Sequence, residues 1–205
     1  DMHQKGVTVN PIALISGASP FCETLFEDAI VPVTDLIGGV DRGWTVGKRL
    51  LQFERSTHAG INISGSQGGR NEESQLPELV AHYAGKADGR IADASIRTWL
   101  TRHDMNTHAQ QITQRRAIAE LQSRAPGFTS SAVKLTNALN IQDGDELLMT
   151  AMGNRAYHWD TDSGASEKEV AAVKKWLYQK SLTIAGGTKE VQLNIIAKRV
   201  LGLPD

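Results

Sequence analysis

The sequence predicts a mainly α-helical protein, an antiparallel helical bundle preceded by two strands. Three observations carry this. Strand-like runs rich in Val, Ile and Thr are confined to the opening part of the chain, as in Val7-Thr8-Val9 and Ile12-Ala13-Leu14-Ile15. Beyond Gly38-Gly39 the apolar residues take up helical spacing: Val46, Leu50 and Phe53 lie four and three apart, on one face of a helix. The helical stretches that follow are separated by short turn signals, Asp88-Gly89, Ala125-Pro126-Gly127 and Asp160 through Gly164. Short connections place successive helices antiparallel.

Taken in order, the second strand-like run is Glu23 to Val33, entered through the turn Gly17-Ala18-Ser19-Pro20. Two such segments bury only one small face and leave their edges open, so they are expected to complete a larger sheet. The chain starts with Asp1 rather than Met and runs at once into Gly6 to Ile12, as if continuing a structure begun upstream. The first helix begins at Trp44 with Asp41 as a nearby cap, and the Gly-rich and Ser-rich stretch Gly60 to Gly69 reads as a flexible loop. Further helices are predicted at about 76–84, 91–123, 130–152, 166–182 and 188–200, with boundaries good to roughly ±2–4 residues.

At 205 residues, 40% of them hydrophobic, the chain suffices for one sizeable core or one domain plus part of another. Lys+Arg 22 against Asp+Glu 23 gives a net charge of -1, so no global field draws it onto nucleic acid or an acidic membrane. Any anionic ligand has to be held by local groups. The single cysteine, Cys22, excludes an intrachain disulfide framework and a multi-Cys metal site, in keeping with a reducing compartment, by default the cytoplasm. No apolar run approaches the roughly 20 residues that cross a bilayer.

Four motifs in one order identify a family. Lys5 to Ile12 resembles the last part of the central β domain of acyl-CoA dehydrogenases, and Leu25-Phe26-Glu27-Asp28-Ala29-Ile30-Val31-Pro32 resembles their F-x-D-V-x-V-P strand. Leu36-Ile37-Gly38-Gly39 through Gly43-Trp44 is similar to the entry into the first helix of their carboxyl-terminal bundle. Ile184 to Pro204 follows the family's ending, I-A-G-G-T-S-E-I-Q-x-N-I-I-A-x-R-V-L-G-L-P, almost residue for residue. The middle of the chain, 60 to 165, is covered by helix order alone. The resemblance implies that residues 1–35 end a central β domain and residues 36–205 form the helical bundle.

It also implies a chemistry: FAD-dependent removal of a proton from Cα and a hydride from Cβ of an acyl-CoA, leaving the 2,3-enoyl-CoA. That reaction needs a carboxylate base, an electron sink and donors that polarise the thioester carbonyl. Many members carry the base directly before the Gly-Thr of the closing motif, where this chain has Gly186. A subset places a Glu on the first bundle helix in a Glu-Arg pair, which Glu54-Arg55 fits. Glu54 follows Leu50 by four and Leu51 by three residues, on or beside the apolar face, where burial would raise its pKa and Arg55 would hold it partly ionised. A salt-bridged Glu on a helix flank is the plainer reading.

By the same resemblance Arg55, Ala185 and Gly186 line the substrate, and Gly187, Thr188 and Glu190 contact FAD. Thr188 also reads as an ordinary helix N-cap. The family's R-x-x-F-G motif for the flavin diphosphate does not occur here; Arg90 and Arg97 stand near its place, with solvated helix charges as the alternative. His103 and His108 are five apart, outside the spacing for one metal on a helix, and the four Trp residues read as packing. The implied partners are acyl-CoA, an electron-transfer flavoprotein or similar acceptor, and a second copy in a homodimer or homotetramer, with no nucleic acid. Two other functions remain on this reading: a catalytically silent or FAD-poor subunit completing the site of a related partner, and a flavin monooxygenase on the same fold.

Overall fold

A computed structural model describes residues 1–58, 75–123, 129–162 and 164–204, which form two compact units, Asp1–Phe53 and Glu54–Asp205. The expected loop over 60–69 and the turn at 125–127 lie outside the described residues.

The first unit is built on an antiparallel hairpin, β1 (Val7–Ile12) and β2 (Phe21–Phe26), in register from Val7 opposite Phe26 to Ile12 opposite Phe21. The strands are shorter than the apolar runs that predict them. Pairing stops after Ile12 because the chain folds into a turn, in which the Gly17 N–H donates to the Leu14 carbonyl at 2.9 Å. It stops after Phe26 because Asp28 takes a left-handed φ of 54° and the Ile30 N–H turns to the Gln4 side chain at 2.9 Å. Gly6 closes the hairpin: its carbonyl accepts from the Glu27 N–H at 2.8 Å, and an added Cβ would lie 2.1 Å from the Glu27 oxygen.

Helix α1 (Gly43–His58) follows a single 3₁₀ turn, Val33–Asp35. Asp41 does not cap it, since its φ of 61° is left-handed rather than extended, and the first turn instead closes on the Arg42 carbonyl. Trp44, Leu50 and Leu51 on this helix are exposed.

In the second unit, α2 (Leu76–Ala84) leads through a two-residue ladder, β3 (Lys86–Ala87) with β4 (Arg90–Ile91), into α3 (Ala94–Gln122). Then come α4 (Thr129–Met152), α5 (Glu167–Gln179) and α6 (Lys189–Ile195), which continues as a π-helical turn over Ile196–Val200. The predicted helix over 166–182 ends its last turn as 3₁₀ at Lys180–Thr183. Helix α4 is central, packing against α2, α3, α5 and α6. Its buried positions are accordingly spread around the helix rather than along one face, and they include Ser131, Lys134 and Gly144 beside apolar residues.

The core divides along α4. One cluster joins Val80, Ile91, Leu100 and Leu147; another joins Met149, Met152 and Val173. Several polar groups packed against these clusters are paired. Asp143 accepts from the Trp99 indole N–H at 2.8 Å and faces His103 Nδ1 at 2.9 Å, which makes His103 a core histidine tying α3 to α4. Gly144 is where α4 gives His103 room, since a Cβ there would stand 2.9 Å from its ring. Helix α5 opens with a capping box: Ser166 accepts from the Glu169 N–H while the Glu169 carboxylate receives the Ser166 N–H and hydroxyl. Arg155 adds a third contact to Glu169 at 2.9 Å.

Candidate functional site

Between the 3₁₀ turn Lys180–Thr183 and α6 the chain runs through Ile184, Ala185, Gly186, Gly187 and Thr188. Gly186 and Gly187 take φ of 66° and 98°, a conformation that L side chains adopt only under strain. Thr188 then caps α6: its φ and ψ are extended, and its hydroxyl accepts from the Val191 N–H at 3.3 Å. Helix geometry leaves the Lys189 and Glu190 N–H groups without intrahelical partners.

Two buried side chains fix the turn from inside, and a third holds the 3₁₀ turn that precedes it. Lys134, on α4 and 5% exposed, donates from Nζ to the Gly187 carbonyl at 2.6 Å and the Leu182 carbonyl at 3.2 Å. Burial pulls its pKa below that of an ordinary lysine. Gln192, on α6 and 1% exposed, donates to the Gly186 carbonyl at 3.0 Å. Gln142 reaches the Gln179 carbonyl at 2.9 Å and the Thr183 hydroxyl at 3.3 Å. Gly187 lies so close over Gln192 that a Cβ would meet its Nε2 at 2.6 Å.

Above the turn is a shallow depression of about 380 Å³ lined by Leu139, Gln142, Thr183, Ile184, Thr188, Lys189 and Glu190. Thr188 and Glu190, two of the expected cofactor residues, therefore share one surface with α4. Ala185, Gly186 and Gly187 belong to the same turn. Arg97 sits elsewhere, on the first turns of α3, with its guanidinium donating to the Ile91 carbonyl at 2.6 Å. Glu54 is exposed on α1; the burial expected for it is not seen, because that helix also leaves Leu50 and Trp44 open to solvent. The Arg55 side chain lies outside the described residues.

Sequence reading missed Lys134 and Gln192. A signal for the first was present: a lysine between Val133 and Leu135, in a helix whose neighbours are mostly apolar, has to be paired. Gln192 stood within the closing motif with no role assigned. Among the described residues there is no cluster of His, Cys, Asp and Glu that could hold a metal ion, and no helix long and apolar enough to cross a membrane.

Comparison with known proteins gives this geometry its context. Over residues 41–201 the chain matches the family model for the acyl-CoA dehydrogenase C-terminal domain. It is 31% identical over 204 residues to the acyl-CoA dehydrogenase IpdE1 of Mycobacterium tuberculosis (strain ATCC 25618 / H37Rv), covering 99% of this chain and 49% of that protein. Among solved structures it is similar to the Tcur3481-Tcur3483 steroid ACAD, with a TM-score of 0.80 at 21% identity over 99% of this chain and 50% of that one. It is also similar to the ChsE4-ChsE5 complex from Mycobacterium tuberculosis, with a TM-score of 0.76 at 22% identity over 100% of this chain and 51% of that one. The chain thus spans about half the length of these relatives, and the structural likenesses bear on the fold. The family match across the helical unit, which takes in a Gly-Gly-Thr turn held by Lys134 of that unit's central helix, shows that the chain belongs to the acyl-CoA dehydrogenase family.

Proposed function

We propose that this chain contributes the helical half of a FAD-dependent acyl-CoA dehydrogenase, converting an acyl-CoA thioester to its 2,3-enoyl-CoA. The observation that carries this is the family match over 41–201, which takes in the pinned turn Gly186-Gly187-Thr188. The turn's residues suit FAD. The Lys189 and Glu190 N–H groups have no intrahelical partners and suit a phosphate or carbonyl oxygen, the absence of a side chain at Gly187 lets the turn close onto Gln192, and the buried Gln192 Oε1 has no hydrogen-bond partner among the described residues. Gly187, Thr188 and Glu190 would hold the cofactor, and Arg97, which lies away from the turn, would serve the diphosphate of a neighbouring subunit's flavin. When bound, FAD supplies the electron sink for the Cβ hydride.

Glu54 is assigned the Cα proton, and its place on α1 leaves Gly186 free of that duty. Arg55 would accompany it beside the thioester. Ala185 and Gly186, small where many members are bulky or charged, leave room beside the acyl chain. The Tcur3481-Tcur3483 enzyme is described as a steroid ACAD, and a ring-bearing acyl group is the substrate class proposed here. An electron-transfer flavoprotein or similar acceptor would reoxidise the cofactor.

A second reading is favoured by one likeness. ChsE4-ChsE5 is a complex of two named chains, and the R-x-x-F-G motif is absent from this one. A related partner subunit that supplies the diphosphate contact fits both facts, in place of a homodimer or homotetramer. The test is enoyl-CoA formation by the full-length protein, alone and with candidate partner subunits, from ring-bearing and straight-chain acyl-CoA esters. Faster turnover of the ring-bearing ester is expected; no product from either ester, in protein carrying stoichiometric FAD, contradicts the activity.

A further inference from the structure

Two successive carbonyls of the Gly-Gly-Thr turn are drawn inward by two different buried side chains. The Gly186 carbonyl accepts from Gln192 at 3.0 Å and the Gly187 carbonyl from Lys134 at 2.6 Å. These contacts set directions as well as distances. No cis peptide occurs among the described residues, and in a trans peptide the N–H points opposite to the C=O of the same plane. Holding the Gly186 carbonyl toward Gln192 therefore turns the Gly187 N–H away from it. Holding the Gly187 carbonyl toward Lys134 turns the Thr188 N–H away from the lysine. Positive φ at Gly186 and Gly187 allows both planes to take these settings in succession.

The choice of a charged group at position 134 is informative. A lysine 5% exposed is disfavoured by its desolvation, and a methionine of similar length would fill the space without that cost. What methionine lacks is a donor for Gly187 and Leu182 at once. The ammonium also polarises the Gly187–Thr188 peptide, which strengthens its N–H as a donor on the other side. A group that only closed the core would need neither property.

We propose that Lys134 and Gln192 are positioning residues, which fix the direction and donor strength of the Gly187 and Thr188 N–H groups toward oxygen atoms of the cofactor. This rests on the proposed function and adds to it two residues that need not touch the ligand.

The test uses the full-length protein and three variants, Lys134→Met, Gln192→Leu and, as a packing control in the same unit, Leu147→Ala. FAD affinity is measured by reconstitution of apoprotein, together with amide exchange over residues 184–192 and the thermal midpoint. Lys134→Met is expected to weaken FAD by about tenfold or more, the factor of one hydrogen bond from a charged group, and Gln192→Leu by about threefold to tenfold, that of a neutral one. They are also expected to speed exchange over 184–192 in apoprotein. Leu147→Ala is expected to lower the midpoint while keeping FAD affinity within about twofold, a packing loss remote from the turn. Wild-type affinity in Lys134→Met, or an equal loss in Leu147→Ala, overturns the positioning role. Wild-type protein that holds no FAD, alone or with a partner, overturns the proposed function; unchanged exchange in Lys134→Met would then overturn the positioning role separately.

Discussion

Lys134 Nζ lies 2.6 Å from the Gly187 carbonyl oxygen, so the central helix of the bundle and the family's closing motif are joined by one buried cation. The motif's two glycines both take a left-handed φ, 66° at Gly186 and 98° at Gly187, and a Cβ at Gly187 would in addition meet the Gln192 amide at 2.6 Å.

Replacement at Gly187 is therefore expected to be the harsher. Gly187→Ala should destabilise the protein by about 1–3 kcal/mol, the range for forcing an L-residue into a disfavoured backbone region. It should also displace Gln192 from the Gly186 carbonyl. Urea titration of the two single alanine variants checks the order: a larger loss in Gly186→Ala would mean that Gln192 yields to the new Cβ.

At Gly144 two effects oppose each other. Alanine is the better helix former by about 1 kcal/mol in an unobstructed helix. Here its Cβ would stand 2.9 Å from His103 Cε1 and 3.3 Å from Leu76 Cδ2, and His103 is held in place by Asp143. Overpacking of this kind costs about 1–3 kcal/mol, so Gly144→Ala should be net destabilising. A variant with a raised unfolding midpoint would show that His103 moves freely.

Glu169 should make the bundle sensitive to acid. Hydrogen bonds from the Ser166 backbone and hydroxyl, then from Arg155, pull its carboxyl down to about 2. Because the folded value is the lower one, the ionised carboxylate stabilises the fold at pH values above the unfolded value of about 4.3. That contribution is lost as pH falls from there through about 2. The stability difference between wild type and Glu169→Gln should accordingly be constant above about pH 5 and shrink toward pH 2. A difference independent of pH over that range would contradict the assignment.

Leu147 is fully buried at the meeting of α2, α3 and α4. Leu147→Ala should cost about 2–5 kcal/mol, as cavity-forming substitutions do. Chemical denaturation measures it, and a loss under 1 kcal/mol would indicate that the core collapses around the gap.

The helices were legible because their apolar spacing and turn residues are local signals. Ser166 and Thr188 each stand one residue before a helix and cap it. The hairpin was read too long for the complementary reason: Ile12 to Ile15 and Ala29 to Val33 have strand composition, but pairing is decided by partners, and the Gln4 side chain takes the Ile30 N–H instead. The turn at Gly186-Gly187-Thr188 was found through its motif. Its supports were not, because Lys134 reaches Gly187 across 53 positions of sequence and spacing carries no record of that contact. The environment of Glu54 was misjudged because amphipathic spacing on α1 states which face is apolar, and says nothing of what covers it.

The central claim is that Glu54 takes the Cα proton while the pinned turn holds FAD. Anaerobic mixing of the full-length flavoprotein, with its partner subunit if one is required, with a ring-bearing acyl-CoA tests it most directly. The account predicts bleaching of the flavin absorbance in the wild type and a loss of about 10²–10⁴-fold in its rate in Glu54→Gln, the contribution of a positioned general base. Bleaching at the wild-type rate in Glu54→Gln, with FAD content unchanged, would contradict it.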